Sequence, residues 1–156
     1  MSEDLFYKVA YDEAVRALSE QQEGIESLRT RAGMLLSVAA ITTSFLGAQA
    51  LQVDPHSVLA WLALAAFLLM ATTSLAILWP RDWDVTANPR EVLEALIGAG
   101  GPASVAELHR DLSLYMHASY LENRQGLEQL ALLFELAGAS MAVEVVLWIA
   151  AIASGS

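Results

Sequence analysis

The sequence predicts an all-α membrane protein with three transmembrane helices, N-terminus inside and C-terminus outside. The first and third spans are expected to continue into long cytoplasmic helices. Three observations lead there. Apolar residues make up 56% of the 156 positions, above the roughly 45–50% of an ordinary soluble domain. The excess is gathered into three blocks, Met34–Leu51, Val58–Trp79 and Leu130–Ala153, each near or above the ~18–20 apolar residues that a spanning helix needs. Every Lys and Arg lies outside these blocks, in two segments alone. Core helices of a soluble bundle are the competing reading, but three such blocks would dominate so small a domain.

The chain then divides as a single membrane domain. Residues 3–32 form a cytoplasmic helix, 33–51 the first span, 52–57 an outer turn and 58–79 the second span. Residues 80–126 form a cytoplasmic helical segment, and 127–153 the third span. Lys8, Arg16, Arg29 and Arg31 sit in the first cytoplasmic segment, and Arg81, Arg90, Arg110 and Arg124 in the second. Basic residues near span ends mark the cytoplasmic side, so the N-terminus and residues 80–126 are expected inside, and the turn at 52–57 and the C-terminus outside. The expected location is the inner (plasma) membrane. The N-terminus lacks the short apolar region and small-residue cleavage site of a signal peptide, so the first span is expected to serve as an uncleaved insertion signal.

From residue 3 the chain has no proline until Pro55. Tyr7, Tyr11, Ala14, Leu18, Gln21, Ile25, Leu28, Ala32 and Leu35 follow the 4-3 spacing of a heptad seam. One helix should therefore run from cytoplasm into membrane, projecting roughly 40 Å at 1.5 Å per residue. The seam's default partner is the later cytoplasmic helix, with another subunit as the alternative. Gln21 in the seam reads as a specificity device or as a solvated edge position, and the edge position is the expectation.

Within the first span, Gly33, Ser37, Ala40, Ser44 and Gly47 recur at 4-3 spacing. Such a small-residue seam lets helix backbones approach closely in lipid, so helix packing and a homo-oligomer are expected from it. Asp54-Pro55 makes the outer turn, with Ser57 as the expected cap of the second span. Pro80 should stop that span, with Trp79 and Trp83 in the headgroup layer and Arg81 as an anchor. The Thr72, Thr73 and Ser74 hydroxyls can bond back to their own helix. Asn88-Pro89-Arg90-Glu91 reads as a helix start, the cluster Gly98–Gly101 as its end, and Ser104-Val105-Ala106-Glu107 as a second capping box.

The chemistry concentrates in the third span, which carries Glu135 and Glu144. An ionisable group at membrane depth is costly and usually faces a partner or a water-filled path. The two carboxyls are nine residues apart, which puts them on opposite sides of a straight helix at 100° per residue. Glu135 lies near the cytoplasmic boundary, where Arg29, Arg31 or the Thr72–Ser74 hydroxyls are in reach. Glu144 lies near the midplane, level with Thr43 and Ser44, and no Lys or Arg shares that depth. It either lines a water-filled path, with Thr43 and Ser44 as further polar groups, or is buried and bonded to first-span hydroxyls. Glu135, a second intramembrane polar candidate, cannot face the same pore axis from one straight helix and needs its own explanation.

Several classes are not supported. The net charge is −10, and each cytoplasmic segment has seven acids against four bases. That is no surface for nucleic acid. Without cysteine, thiolate chemistry is excluded. His109 and His117 are eight residues apart, the wrong spacing for a helical metal site. No phosphate-binding glycine loop or nucleophile elbow is present, so no enzyme activity, metal or cofactor is expected.

Three short motifs carry a resemblance: Leu28-Arg29-Thr30-Arg31-Ala32-Gly33-Met34-Leu35-Leu36, Leu78-Trp79-Pro80-Arg81, and Tyr120-Leu121-Glu122-Asn123-Arg124. In their order along the chain they resemble the Pycsar-effector transmembrane family and related stand-alone bacterial multi-span proteins. The resemblance implies an oligomeric inner-membrane effector, pore-forming or membrane-perturbing, in anti-phage defence. It assigns no site residues. This chain departs from the family in having no recognisable cyclic-nucleotide-binding domain. The alternative is a non-conducting scaffold or sensor subunit that recruits a partner through its cytoplasmic helices. The expected partners are thus the lipid bilayer, further copies of the chain, and a cytoplasmic signal or protein.

The topology is testable because the chain has no cysteine. Single cysteines at positions 54 and 155 should label from outside intact cells, and one at 104 only after permeabilisation. Labelling of position 155 from the inside alone would contradict three spans.

Overall fold

The computed structural model describes residues 3–80 and 104–155. The helix start at Asn88, the Gly98–Gly101 break, Trp83 and the Arg81 anchor lie outside the described residues. The described chain is all helical. α1 spans Glu3–Val53, α2 spans Val58–Leu78 and α3 spans Val105–Gly155, with 51, 21 and 51 residues. Each is long and apolar enough to cross a membrane. The fold is that expected of an all-α membrane protein. The chain forms two compact units: Met1–Ile25 with Arg81–Glu128, and Glu26–Pro80 with Gln129–Ser156.

In the first unit, the heptad positions of α1 turn inward. Leu18, Gln21 and Ile25 are buried, while Tyr7, Tyr11 and Ala14 are half-buried. Their partner is α3. Tyr11 stacks on His109 with ring centroids 5.3 Å apart. Gln21 is not at a solvated edge; it is 7% exposed. Its amide donates to the Tyr120 carbonyl at 3.1 Å. A helical carbonyl has a second lone pair that a buried amide can use, so a polar residue can occupy the seam. At the start of α3, the Ser104 hydroxyl accepts from the Glu107 N–H at 3.2 Å. This is the Ser half of the expected capping box.

The second unit holds the apolar blocks, and its burial pattern is the reverse of a soluble core. The buried positions are mostly small or polar: Ala32, Ala39, Ala50, Ala60, Ala63, Ala137, Ala151, Ser74, Ser140 and Glu144. Large apolar side chains stand outward, including Met34, Ile41, Phe45, Trp61, Leu62, Leu68, Val143 and Val146. In water so large an apolar surface would drive association. In lipid, helices gain nothing by hiding leucines from acyl chains, and small residues win the inner positions because they let backbones close up.

The turn between α1 and α2 differs in detail from expectation. Ser57 occupies the cap position of α2, but its side chain makes no capping bond. The Asp54 carboxylate organises the turn instead, accepting from the His56 N–H at 2.9 Å. An Asx turn of this kind competes with a serine cap for the same few residues. At the other end, Trp79 is exposed, and Pro80 follows it. Arg29, not expected here, donates to the Trp79 carbonyl at 3.5 Å. A cation at a helix C-terminus is favoured by the dipole. The Thr72 and Thr73 hydroxyls bond back to the Leu69 carbonyl.

This pattern gives a direct check. Ala63 is fully buried and Leu62 is half exposed. Ala63→Leu should lower stability in lipid by about 1–3 kcal/mol through overpacking. Leu62→Ala should change it by less than about 0.5 kcal/mol, as outward positions do. Reversible unfolding from bicelles would measure both.

Candidate functional site: a buried carboxyl between α1 and α3

Glu144 is completely buried. It sits between two apolar clusters of the second unit. On one side along α3 are Ala39, Met70 and Ala137, flanked by Met141. On the other are Ala50, Ala60, Ala63, Trp148 and Ala151. Apolar side chains therefore flank the carboxyl in both directions along α3.

The carboxyl meets two donors. The Thr43 hydroxyl of α1 donates to Glu144 Oε1 across a short contact. Trp148, one turn further along α3, donates its indole N–H to the same oxygen at 3.2 Å. Oε2 is buried and has no hydrogen-bond partner among the described residues. No Lys or Arg occurs in 32–80 or 129–155. The site thus has two donors on one carboxyl oxygen and, among the described residues, none on the other.

Backbone geometry makes this possible. A side chain on Gly47 would place its Cβ 3.2 Å from the Trp148 ring, tighter than most carbon contacts tolerate. Glycine there lets the indole lie against α1, with its N–H turned toward Glu144. The pairs match in register. Thr43 and Gly47 are four apart on α1, and Glu144 and Trp148 are four apart on α3. Residues at that spacing share a helix face.

The other sequence-derived candidates separate. Thr43 joins Glu144, but Ser44 is exposed and bonds back to the Ala40 carbonyl at 2.7 Å. Glu135 is exposed, on the opposite side of α3 from buried Glu144. It meets neither Arg29, Arg31 nor the Thr72–Ser74 hydroxyls. Of the small-residue seam, Gly47 is buried and Gly33 half-buried, while Ser37, Ala40 and Ser44 are exposed. The inward face of α1 is instead the continued heptad phase: Ala32, Ala39, Thr43, Leu46 and Ala50. Trp148 was not among the sequence candidates. The signal that could have found it is its position four residues after the buried acid.

Comparison with protein-family models, curated proteins and solved structures gives no match for this chain.

The network should respond in a graded way. Glu144→Gln keeps an acceptor for both donors and should cost little. Glu144→Leu removes it and should cost about 1 kcal/mol, the order of an interhelical bond in a membrane. Gly47→Ile should cost more, about 1–3 kcal/mol, by forcing the indole away, with a shift in tryptophan emission. Equal stability of all three in lipid would mean that the network does not hold α1 to α3.

Proposed function

We propose that the chain is an oligomeric multi-pass protein of the inner membrane that acts as a pore-forming or membrane-perturbing effector. In this reading the N-terminus is cytoplasmic and the C-terminus external. The distribution of Lys and Arg supports that orientation. The chain's resemblance to anti-phage membrane effectors supports a role in defence, and no catalytic step belongs to the reading.

One observation carries the proposal: an outward lane of small residues on α1. Ser37, Ala40 and Ser44 are exposed at helical spacing, beside bulky Met34, Val38, Ile41 and Phe45. A second copy of α1 could approach such a lane closely. Glu135 adds weight. Its exposed carboxyl lies between outward Leu132 and Leu136, and at membrane depth such a group needs water or a partner. An oligomer supplies either. Glu144, enclosed within each protomer, then acts on helix register, and the conducting surface lies between copies.

The scaffold or sensor reading has its own support in the first unit. There an open groove of about 440 Å³ is lined by Ala14, Ala17, Leu114, Met116, His117 and Tyr120, among others. A helix or peptide of a cytoplasmic partner would fit it.

Flux and subunit count separate the two readings. Purified protein should be oligomeric, and vesicles containing it should pass ions. Ala40→Ile or Ser44→Ile should weaken association by about 1–3 kcal/mol, as overpacking does, and lower flux with it. A monomer, or an oligomer without flux under any trigger, would remove the pore and favour the scaffold.

A further inference from the structure

The second unit contains a cavity that the Glu144 network borders but does not fill. It encloses about 210 Å³, and its lining includes Thr43, Gly47, Ala48, Trp61, Leu64 and Trp148. Ala48 and Trp61 are exposed, so the cavity opens on the outward surface of the unit. Trp148 forms its inner wall, only 3% exposed. The side-chain polar groups of the lining are the Thr43 hydroxyl and the indole N–H groups of Trp61 and Trp148. Those of Thr43 and Trp148 are already given to Glu144 Oε1.

We infer that this cavity binds a segment of a lipid acyl chain drawn from the surrounding bilayer. The inference rests on the membrane-spanning reading, because in a bilayer the medium at its mouth is hydrocarbon. The alternatives fit less well. A resident water needs two to four polar partners, and the inner wall has spent both of its donors on Glu144. The volume is below the ~300 Å³ at which pockets begin to hold drug-sized ligands, and suits a chain segment better than a ring system. The nearby turn, Asp54 to Ser57, has no Lys or Arg to hold an anionic headgroup. Recognition is therefore of the tail alone. A bound tail packs against Thr43 and Trp148, the two side chains that hold Glu144, so lipid occupancy supports the α1–α3 join.

Quenching of tryptophan by brominated acyl chains tests this. The full chain carries four tryptophans, at 61, 79, 83 and 148. One variant, with Trp61, Trp79 and Trp83 changed to Phe, keeps Trp148 alone. A second, with Trp79, Trp83 and Trp148 changed to Phe, keeps Trp61. Both are reconstituted in phosphatidylcholine vesicles with and without brominated chains. Heavy-atom quenching needs near-contact, so a tail packed at about 4 Å should lower Trp148 emission about twofold despite its burial. Adding Ala48→Phe, or the milder Ala48→Leu, narrows the cavity from its mouth and should restore most of that emission. Trp148 unquenched while Trp61 is quenched would overturn the tail site and leave the membrane reading standing. Equal quenching of Trp148 with and without the Ala48 changes would also overturn it. Trp61 unquenched in its own variant would remove the membrane reading, and the tail site with it.

Discussion

Lipid takes away the usual reason for helices to pack, and the apolar unit depends on what replaces it. Leucine gains nothing by leaving acyl chains for the protein interior. The inner surface must then be made of groups that lipid cannot serve as well: backbones brought close by alanine and glycine, and polar groups that find each other. Ala39, Ala63 and Ala137 supply the first, all essentially unexposed. Thr43, Glu144 and Trp148 supply the second. The two act together, because Gly47 is what lets the indole approach α1.

The buried carboxyl is more specific than the alanines around it. An alanine lane tolerates sliding by a turn, since one small residue replaces another. A carboxyl with one hydroxyl and one indole as donors does not. Slipping α3 by four residues would leave Glu144 facing Ala39 or Gly47 in place of Thr43, with no donor from α1; the Trp148 indole, on the same helix, would move with it. A buried polar group without its partner is costly. Glu144 therefore fixes register, while the apolar clusters on either side supply contact area.

Much of this was legible in the sequence, for identifiable reasons. Helix type and span number follow from composition and length. The opposite placement of Glu135 and Glu144 follows from nine residues at 100° each, and one is exposed while the other is buried. Thr43 could be matched to Glu144 by depth. The small-residue face of α1 was harder, because that span is small on most sides: Ser37, Ala39, Ala40, Thr43, Ser44, Gly47 and Ala48 allow several 4-3 lanes. Only the heptad phase entering from Leu18, Ile25 and Ala32 identifies Ala39 as inward. Gln21 was misjudged because side-chain pattern carries no information about carbonyl lone pairs. Trp148 was missed because a tryptophan inside an apolar block reads as bulk, although its N–H wants a partner when buried.

The central claim is that Thr43 and Glu144 are energetically joined across α1 and α3. A double-mutant cycle with Thr43→Val and Glu144→Leu, read by reversible unfolding in bicelles, isolates that term. The account predicts a favourable coupling of about 1 kcal/mol, within the range found for hydrogen bonds between membrane helices. Strictly additive effects of the two substitutions would contradict it.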